Sequence, residues 1–174
     1  MTQHARWIKA SLAGCLLTLA AQAANAEDFY LSLGLGRVRA SSMGSGAMSL
    51  QMVAGMPVDY NASVELQHVE VQDVNSWFND QSDQAPRRVM SAHTGVAAVA
   101  FMRPNPGVRL RARLGLGTTY QEGMGGYHSK RIWEMEPGLG LDVQLRPNLT
   151  AGLEINRFWR SEVNVLAVTG HWSF

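Results

Sequence analysis

The chain has 174 residues, with 15 Lys and Arg against 14 Asp and Glu, a formal charge of +1 and 46% hydrophobic residues. Such a near-neutral balance argues against nucleic acid as a partner. The length suits a single domain once an amino-terminal segment is set aside.

That segment comes first. Arg6 and Lys9 precede an apolar stretch from Ala10 to Ala20, and small residues follow up to Ala24-Asn25-Ala26. This is the pattern of a secretory signal peptide over 1–26, cleaved before Glu27-Asp28. The apolar run is shorter than the roughly 20 residues of a membrane-spanning helix. Leu12-Ala13-Gly14-Cys15 resembles a lipobox, but most of the apolar run lies after the cysteine, where a lipobox would already have ended. Cleavage at the first site leaves no cysteine and hence no disulfide. It also leaves 13 basic residues against 14 acidic ones, a formal charge of about −1, because Arg6 and Lys9 are lost. No later stretch is long and apolar enough for a membrane helix. A chain of this kind enters a membrane only as a closed barrel, since an open sheet edge in lipid leaves backbone groups unpaired.

Residues 27–174 show period-two alternation in eight runs, as half-buried strands require. The first has Phe29, Leu31, Leu33 and Leu35 on one face. The second has Met48, Leu50, Met52, Ala54 and Met56, and the third Val64, Leu66 and His68. The fourth runs from Met90 to Met102. In the fifth, Val108, Leu110, Ala112, Leu114 and Leu116 oppose Arg109, Arg111, Arg113, Gly115 and Gly117. Arginines at every second position cannot share a lipid face, nor fill an ordinary core without partners. The sixth sets Trp133, Met135, Leu139, Leu141, Val143 and Leu145 against Glu134, Glu136, Gly138, Gly140 and Asp142. The seventh sets Leu149, Ala151, Leu153 and Ile155 against Thr150, Gly152, Glu154 and Asn156. The eighth, Val163–Phe174, ends the chain on an aromatic.

The connections alternate in character. Pro57–Asn61, Arg103–Gly107 and Arg146–Asn148 are short and rich in Pro and Asn, which marks turns. Arg39–Ala47, Asn75–Arg88 and Gln121–Arg131 are longer and polar, and Arg160–Glu162 is brief. Short turns on one rim and longer loops on the other predict an all-β, eight-stranded antiparallel up-and-down transmembrane barrel, with the turns periplasmic and the loops extracellular.

Three segments carry a family likeness: Ser63-Val64-Glu65-Leu66, Arg113-Leu114-Gly115-Leu116-Gly117 and Asn148–Phe158. In these the chain resembles the small outer-membrane β-barrel family, the OmpA-like and opacity-protein-like porin group. The resemblance implies a Gram-negative outer membrane, exposure at the cell surface, and reading of Phe174 by the barrel-assembly machinery. It identifies architecture better than activity. By this resemblance the chain is expected to correspond to the barrel alone, without the peptidoglycan-binding domain of full-length OmpA-type proteins.

With the polar face inward, the lumen is expected to hold Arg109, Arg111 and Arg113 with Glu65, Glu134, Glu136, Asp142 and Glu154. An eight-stranded interior is just wide enough for side chains to fill it. The alternatives are a structural salt-bridge plug and a narrow ion path that opens when pairs exchange. Outward Trp133, Trp159, Trp172 and Phe174 are expected at the membrane interfaces, the first two extracellular and the last two periplasmic. Loop residues Trp77, Phe78, Arg87, Arg88, Tyr127, Lys130 and Arg131 are candidates for contact with lipopolysaccharide phosphates or a host surface.

Some eight-stranded barrels remodel lipid A with Ser, His and an acid. Here the adjacent pair His128-Ser129 points apart on an extended chain, and Ser91 with His93 could equally be packing residues. The reading is therefore not an enzyme, with no cofactor. Scattered histidines make no metal site, and Met43, Met48, Met52, Met56, Met90, Met102, Met124 and Met135 are read as lipid-facing or loop residues. The expected partners are outer-membrane lipid, lipopolysaccharide and the assembly machinery, for a monomer.

Overall fold

A computed structural model describes residues 29–40, 47–73, 87–124 and 126–174. The export segment, Cys15, Trp77 and Phe78 lie outside these residues. The chain forms β1 (Tyr30–Ala40), β2 (Ala47–Asp59), β3 (Ala62–Asp73), β4 (Arg87–Asn105), β5 (Val108–Met124), β6 (Lys130–Arg146), β7 (Leu149–Phe158) and β8 (Val163–Ser173). Each strand pairs with the next, and β1 closes on β8, giving a barrel of eight antiparallel strands. Closure satisfies every edge, the condition lipid imposes on a sheet.

The two rims differ. One carries the tight turns at Tyr60-Asn61, Pro106-Gly107 and Pro147-Asn148, together with the Tyr30–Ser173 end of the β1–β8 pair. Gly107 there has φ of 84°, a left-handed conformation that favours glycine. The other rim carries the longer connections and the turn at Trp159–Glu162.

Alternation in sequence becomes inside and outside in space. Leu33, Leu35, Val96, Leu114, Leu116, Leu139, Leu153, Ile155, Leu166 and Val168 are exposed, while the residues between them are buried. Along β6 the outward series runs from Trp133 to Leu145. At ordinary strand rise and a tilt near 40° this covers about 30 Å along the barrel axis, enough for the apolar band of an outer-membrane barrel.

Three expectations change. The strands absorb polar residues assigned to loops: β4 begins at Arg87, β5 runs to Met124, and β6 starts at Lys130, paired with Gln121. Ladder hydrogen bonds extend a hairpin into water regardless of side-chain polarity. Second, the β4–β5 register shifts between Met90 and Ala92, a bulge that turns Met90 into the interior at 2% exposure instead of toward lipid. Ser91 falls at this bulge and its hydroxyl bonds the Tyr120 carbonyl at 3.4 Å, apart from His93. Third, the Pro57–Asn61 and Arg103–Gly107 segments are mostly strand, since β2 reaches Asp59 and β4 reaches Asn105.

Candidate functional site: a layered lumen

The interior is built in two layers. In the half nearer the tight turns, Arg111 Nη2 donates to Glu65 Oε1 at 2.6 Å and Arg111 Nη1 lies 3.3 Å from Glu154 Oε2. Arg113 Nη1 lies 3.2 Å from Glu65 Oε2 and 3.3 Å from Glu154 Oε1. Glu136 is more distant, 3.9 Å from Arg113 Nε and 3.5 Å from His93 Nε2. Arg109 is nearer solvent and donates through Nε and Nη2 to Asp142 Oδ2 at 2.9 and 2.8 Å, with its guanidinium over the Phe101 ring. His171 joins the layer, 3.1 Å from Arg111 Nη1 and 3.5 Å from Asp142 Oδ1. Arg111, Arg113, Glu65, Glu154 and Asp142 thus each meet at least two opposite charges, which offsets their desolvation.

Register explains the choice of partners. Only Arg109 faces an acid across the β5–β6 ladder, namely Asp142. Arg111 faces Gly140 and Arg113 faces Gly138. Gly140 in turn faces Glu154 on β7. The Arg111 side chain crosses above Gly140, whose missing Cβ would lie 3.5 Å from Arg111 Cβ, and so reaches Glu154 one strand further on. The principal counter-charges are therefore Glu65 and Glu154 from across the lumen, and less the acids of the adjacent strand.

Glu134 departs from the expected network. It is 2% exposed but accepts hydrogen bonds from the Thr119 hydroxyl, the Ser161 backbone N–H at 2.9 Å and the Ser161 hydroxyl at 2.8 Å. Its work is to hold the β7–β8 turn, where Glu162 has a left-handed φ of 53°. Position on the inward face was legible; proximity to a turn from another hairpin was not.

Above the charges, toward the long-loop rim, lies an apolar layer. Val38, Ala47, Val69, Phe158, Val163, Val165 and Ala167 are all 0% exposed and pack with Val71 and Met90. His93 separates the layers, bonding Thr119 at 2.8 Å and meeting the Phe158 ring edge-on at 4.8 Å. Sequence reasoning missed this layer because it followed charges. The signal was present in Val163, Val165 and Ala167, which share the inward face of β8 with Thr169 and His171.

The outward aromatics divide between the rims. Trp172 and Phe174 are exposed at the tight-turn rim with Tyr60, and Trp133 and Trp159 at the opposite rim with Tyr120. At that far rim Arg88 stacks over Tyr127 at 5.0 Å and donates to the His128 carbonyl at 3.1 Å. Lys130 and Arg131 are exposed at the start of β6. Arg87 opens β4 opposite Met124.

A closed eight-stranded barrel with an apolar outer wall, aromatic rims and a packed, charged interior defines a transmembrane β-barrel of the outer-membrane type. The sequence model of the outer membrane protein beta-barrel domain matches residues 11–171, and the chain belongs to that family. No curated protein matches it by sequence. Among solved structures it is similar to the Neisserial surface protein A, with 20% identity and a TM-score of 0.56 over 84% of this chain and 97% of that one. It is also similar to the amino-terminal barrel of Pseudomonas aeruginosa OprF, at 15% identity and TM-score 0.59, covering 85% and 98%. The attachment invasion locus protein Ail of Yersinia pestis follows at 16% identity and TM-score 0.51, covering 85% and 99%. These likenesses concern the fold.

Proposed function

We propose that this outer-membrane protein is a non-conducting barrel with a structural or surface-interaction role, rather than a porin or a lipid-modifying enzyme. The observation that carries this reading is the stacking of a fully buried apolar layer on a paired charge layer. An ion path through the charges would still have to cross Phe158, Val38, Val69, Val163 and Val165, which leave no exposed surface. Apolar constrictions of this kind stop ions by excluding water. The scaffold then serves to present the long-loop rim, where Arg88, Tyr127, Lys130 and Arg131 sit, to the outside. In this reading residues 1–26 are removed on export, Phe174 is read by the assembly machinery, and the barrel works as a monomer among lipid and lipopolysaccharide.

Single-channel recording in planar bilayers tests the central claim. The expected result is no unitary conductance from the wild-type barrel; reproducible single-channel steps would establish the porin reading instead. Lipid A recovered from cells with and without the protein is expected to have the same mass spectrum.

A further inference from the structure

The buried members of the apolar layer come from β1, β2, β3, β4, β7 and β8. Beside it, β5 and β6 present polar side chains to the interior. Thr119, Gln121 and Glu134 are buried there, at 0%, 8% and 2% exposure. They belong to one line of contacts that runs from the charge layer, past the apolar layer, to the β7–β8 turn.

The line begins at Glu136, whose Oε2 lies 3.5 Å from His93 Nε2. His93 Nδ1 lies 2.8 Å from the Thr119 hydroxyl oxygen. The Thr119 hydroxyl donates to Glu134 Oε1. Glu134 also accepts from the Ser161 hydroxyl at 2.8 Å and the Ser161 backbone N–H at 2.9 Å. Gln121 Nε2 donates to the Ser161 hydroxyl oxygen at 3.2 Å, which leaves the Ser161 hydrogen for Glu134. Glycines make room for the ring: a Cβ at Gly95 or Gly117 would lie 2.8 or 2.7 Å from His93 Nε2.

Hydrogen supply fixes the direction of each bond. A hydroxyl has one hydrogen to give, and an ionised carboxylate has none. The Thr119 hydrogen is on Glu134, so Thr119 accepts from His93 and the ring carries a proton on Nδ1. A bare Nε2 lone pair facing the Glu136 carboxylate is repulsive. One proton between Nε2 and Oε2 removes the repulsion, whichever atom holds it. The other ionisable groups around the pair come from four strands. Arg113 of β5 has Nε 3.9 Å from Glu136 Oε1, and β6 adds Glu134. From β3, His68 lies on the outer face, and Glu65 is held by Arg111 and Arg113. From β7, Glu154 is held by the same two arginines, and Phe158 packs edge-on against His93.

We propose that this line is a protonation switch that ties the lumen to the β7–β8 turn, a role beyond the structural one argued above. With the shared proton in place, His93 donates through Nδ1 and Thr119 gives its hydrogen to Glu134. When pH rises, the two hydrogens held by His93 and Glu136 become one, and the other passes to water. The remaining hydrogen sits on Nε2, facing the Glu136 carboxylate, and Nδ1 becomes an acceptor. The Thr119 hydrogen then turns back to Nδ1. Glu134 loses one of its three donors, and its hold on the turn at Ser161 changes.

The test is nitrogen-15 NMR of the refolded full-length chain in lipid nanodiscs, from about pH 4 to 9, a range that brackets ordinary histidine titration. His93 Nδ1 is expected to be protonated at the acid end and bare at the alkaline end, where Nε2 carries the proton. The Ser161 amide is expected to shift with the same midpoint. A His93 that keeps Nδ1 protonated throughout overturns the proposal, as does a Ser161 amide that does not move with it. T119V keeps the side-chain shape and removes the relaying hydroxyl. It is expected to leave His93 titrating and to abolish the Ser161 shift at that midpoint; a shift that survives overturns the relay. If T119V does not fold, E136M takes its place. Without the carboxylate, Nδ1 is expected to stay protonated and Ser161 to stay still, and a persisting shift overturns the proposal. H68Q, on the outer face, is expected to keep the Ser161 shift, and its loss there would assign the response to His68 instead.

Discussion

Tyr30 lies flat across Gly55, its partner on the neighbouring strand, and its hydroxyl reaches Glu65 on the strand beyond. Gly55 faces Tyr30 in the β1–β2 ladder and Glu65 in the β2–β3 ladder, so one row joins three strands. A Cβ on residue 55 would collide with Tyr30 Cζ, Cε2 and Oη. The hydroxyl donates to Glu65 Oε1 and lies 2.9 Å from the Ser63 hydroxyl. Gly55→Ala must therefore lift the ring and break its contact with Glu65. Overpacking of this kind costs about 1–3 kcal/mol, and the expected result is a lower urea midpoint for folding into lipid vesicles. Tyr30→Phe, which keeps the ring and removes only the hydroxyl, is expected to cost about 1.5–3 kcal/mol, the worth of one hydrogen bond to a charged group, with Arg111 still donating to Glu65 Oε1.

Arg111 anchors the charge layer through Glu65, Glu154 and Asp142. Removing one partner of a buried ion pair costs about 3–5 kcal/mol, because the other charge is left behind. Arg111→Ala is expected to fall in that range, and Arg111→Ala with Glu65→Gln to recover part of it. Leu110→Ala, on the lipid face, is expected to cost less because lipid refills the space. Equilibrium folding of the three variants in vesicles checks the order; a severe Leu110→Ala beside a neutral Arg111→Ala would contradict it.

Phe158 is the largest member of the apolar layer and is fully buried. Truncating such a ring costs about 3–5 kcal/mol. Phe158→Ala is expected to lower the urea midpoint strongly and, in the reading proposed here, to be a better route to ion leakage than any single change among the arginines. Conductance of Phe158→Ala beside Arg113→Ala measures this directly.

Placement of the rims in the membrane predicts a fluorescence pattern. Trp172 belongs to one rim, Trp133 and Trp159 to the other. In single-tryptophan variants, lipid probes with quenchers at different depths are expected to quench all three most strongly near an interface, as aromatic girdles require. Strongest quenching at the bilayer midplane would contradict the placement.

Phe174 is 71% exposed at the carboxyl end, with its backbone N–H on the Phe29 carbonyl at 3.0 Å. Its side chain has little packing to lose, so Phe174→Asp should fold nearly normally into vesicles. In cells, the same variant is expected to reduce the heat-modifiable barrel recovered from outer membranes, because the effect lies in recognition during assembly. Equal losses in both settings would make the residue a stabilising anchor only.

The amino-acid sequence by itself determined which side chains face in and which face out. Period-two alternation is a local property: once Arg109, Arg111 and Arg113 are inward, Leu110, Leu114 and Leu116 must be outward, wherever the strand lies. Strand number and the inequality of the rims followed from the turn residues for the same reason. Tertiary structure alone decided who meets whom. Arg111 and Glu65 are 46 positions apart, and their contact depends on register and barrel closure, while a glycine at the crossing point, Gly140, opens the way from Arg111 to Glu154. The interior position of Met90 needed a one-residue bulge, which reverses a face without changing the pattern on either side. Glu134 was read as a lumen charge, but closure brought it to Ser161, and a turn became its partner where an arginine had been expected. The apolar layer arises similarly: short apolar stretches on β1, β2, β3, β4, β7 and β8 look unremarkable singly and form a sealed cluster only when the sheet curves back on itself.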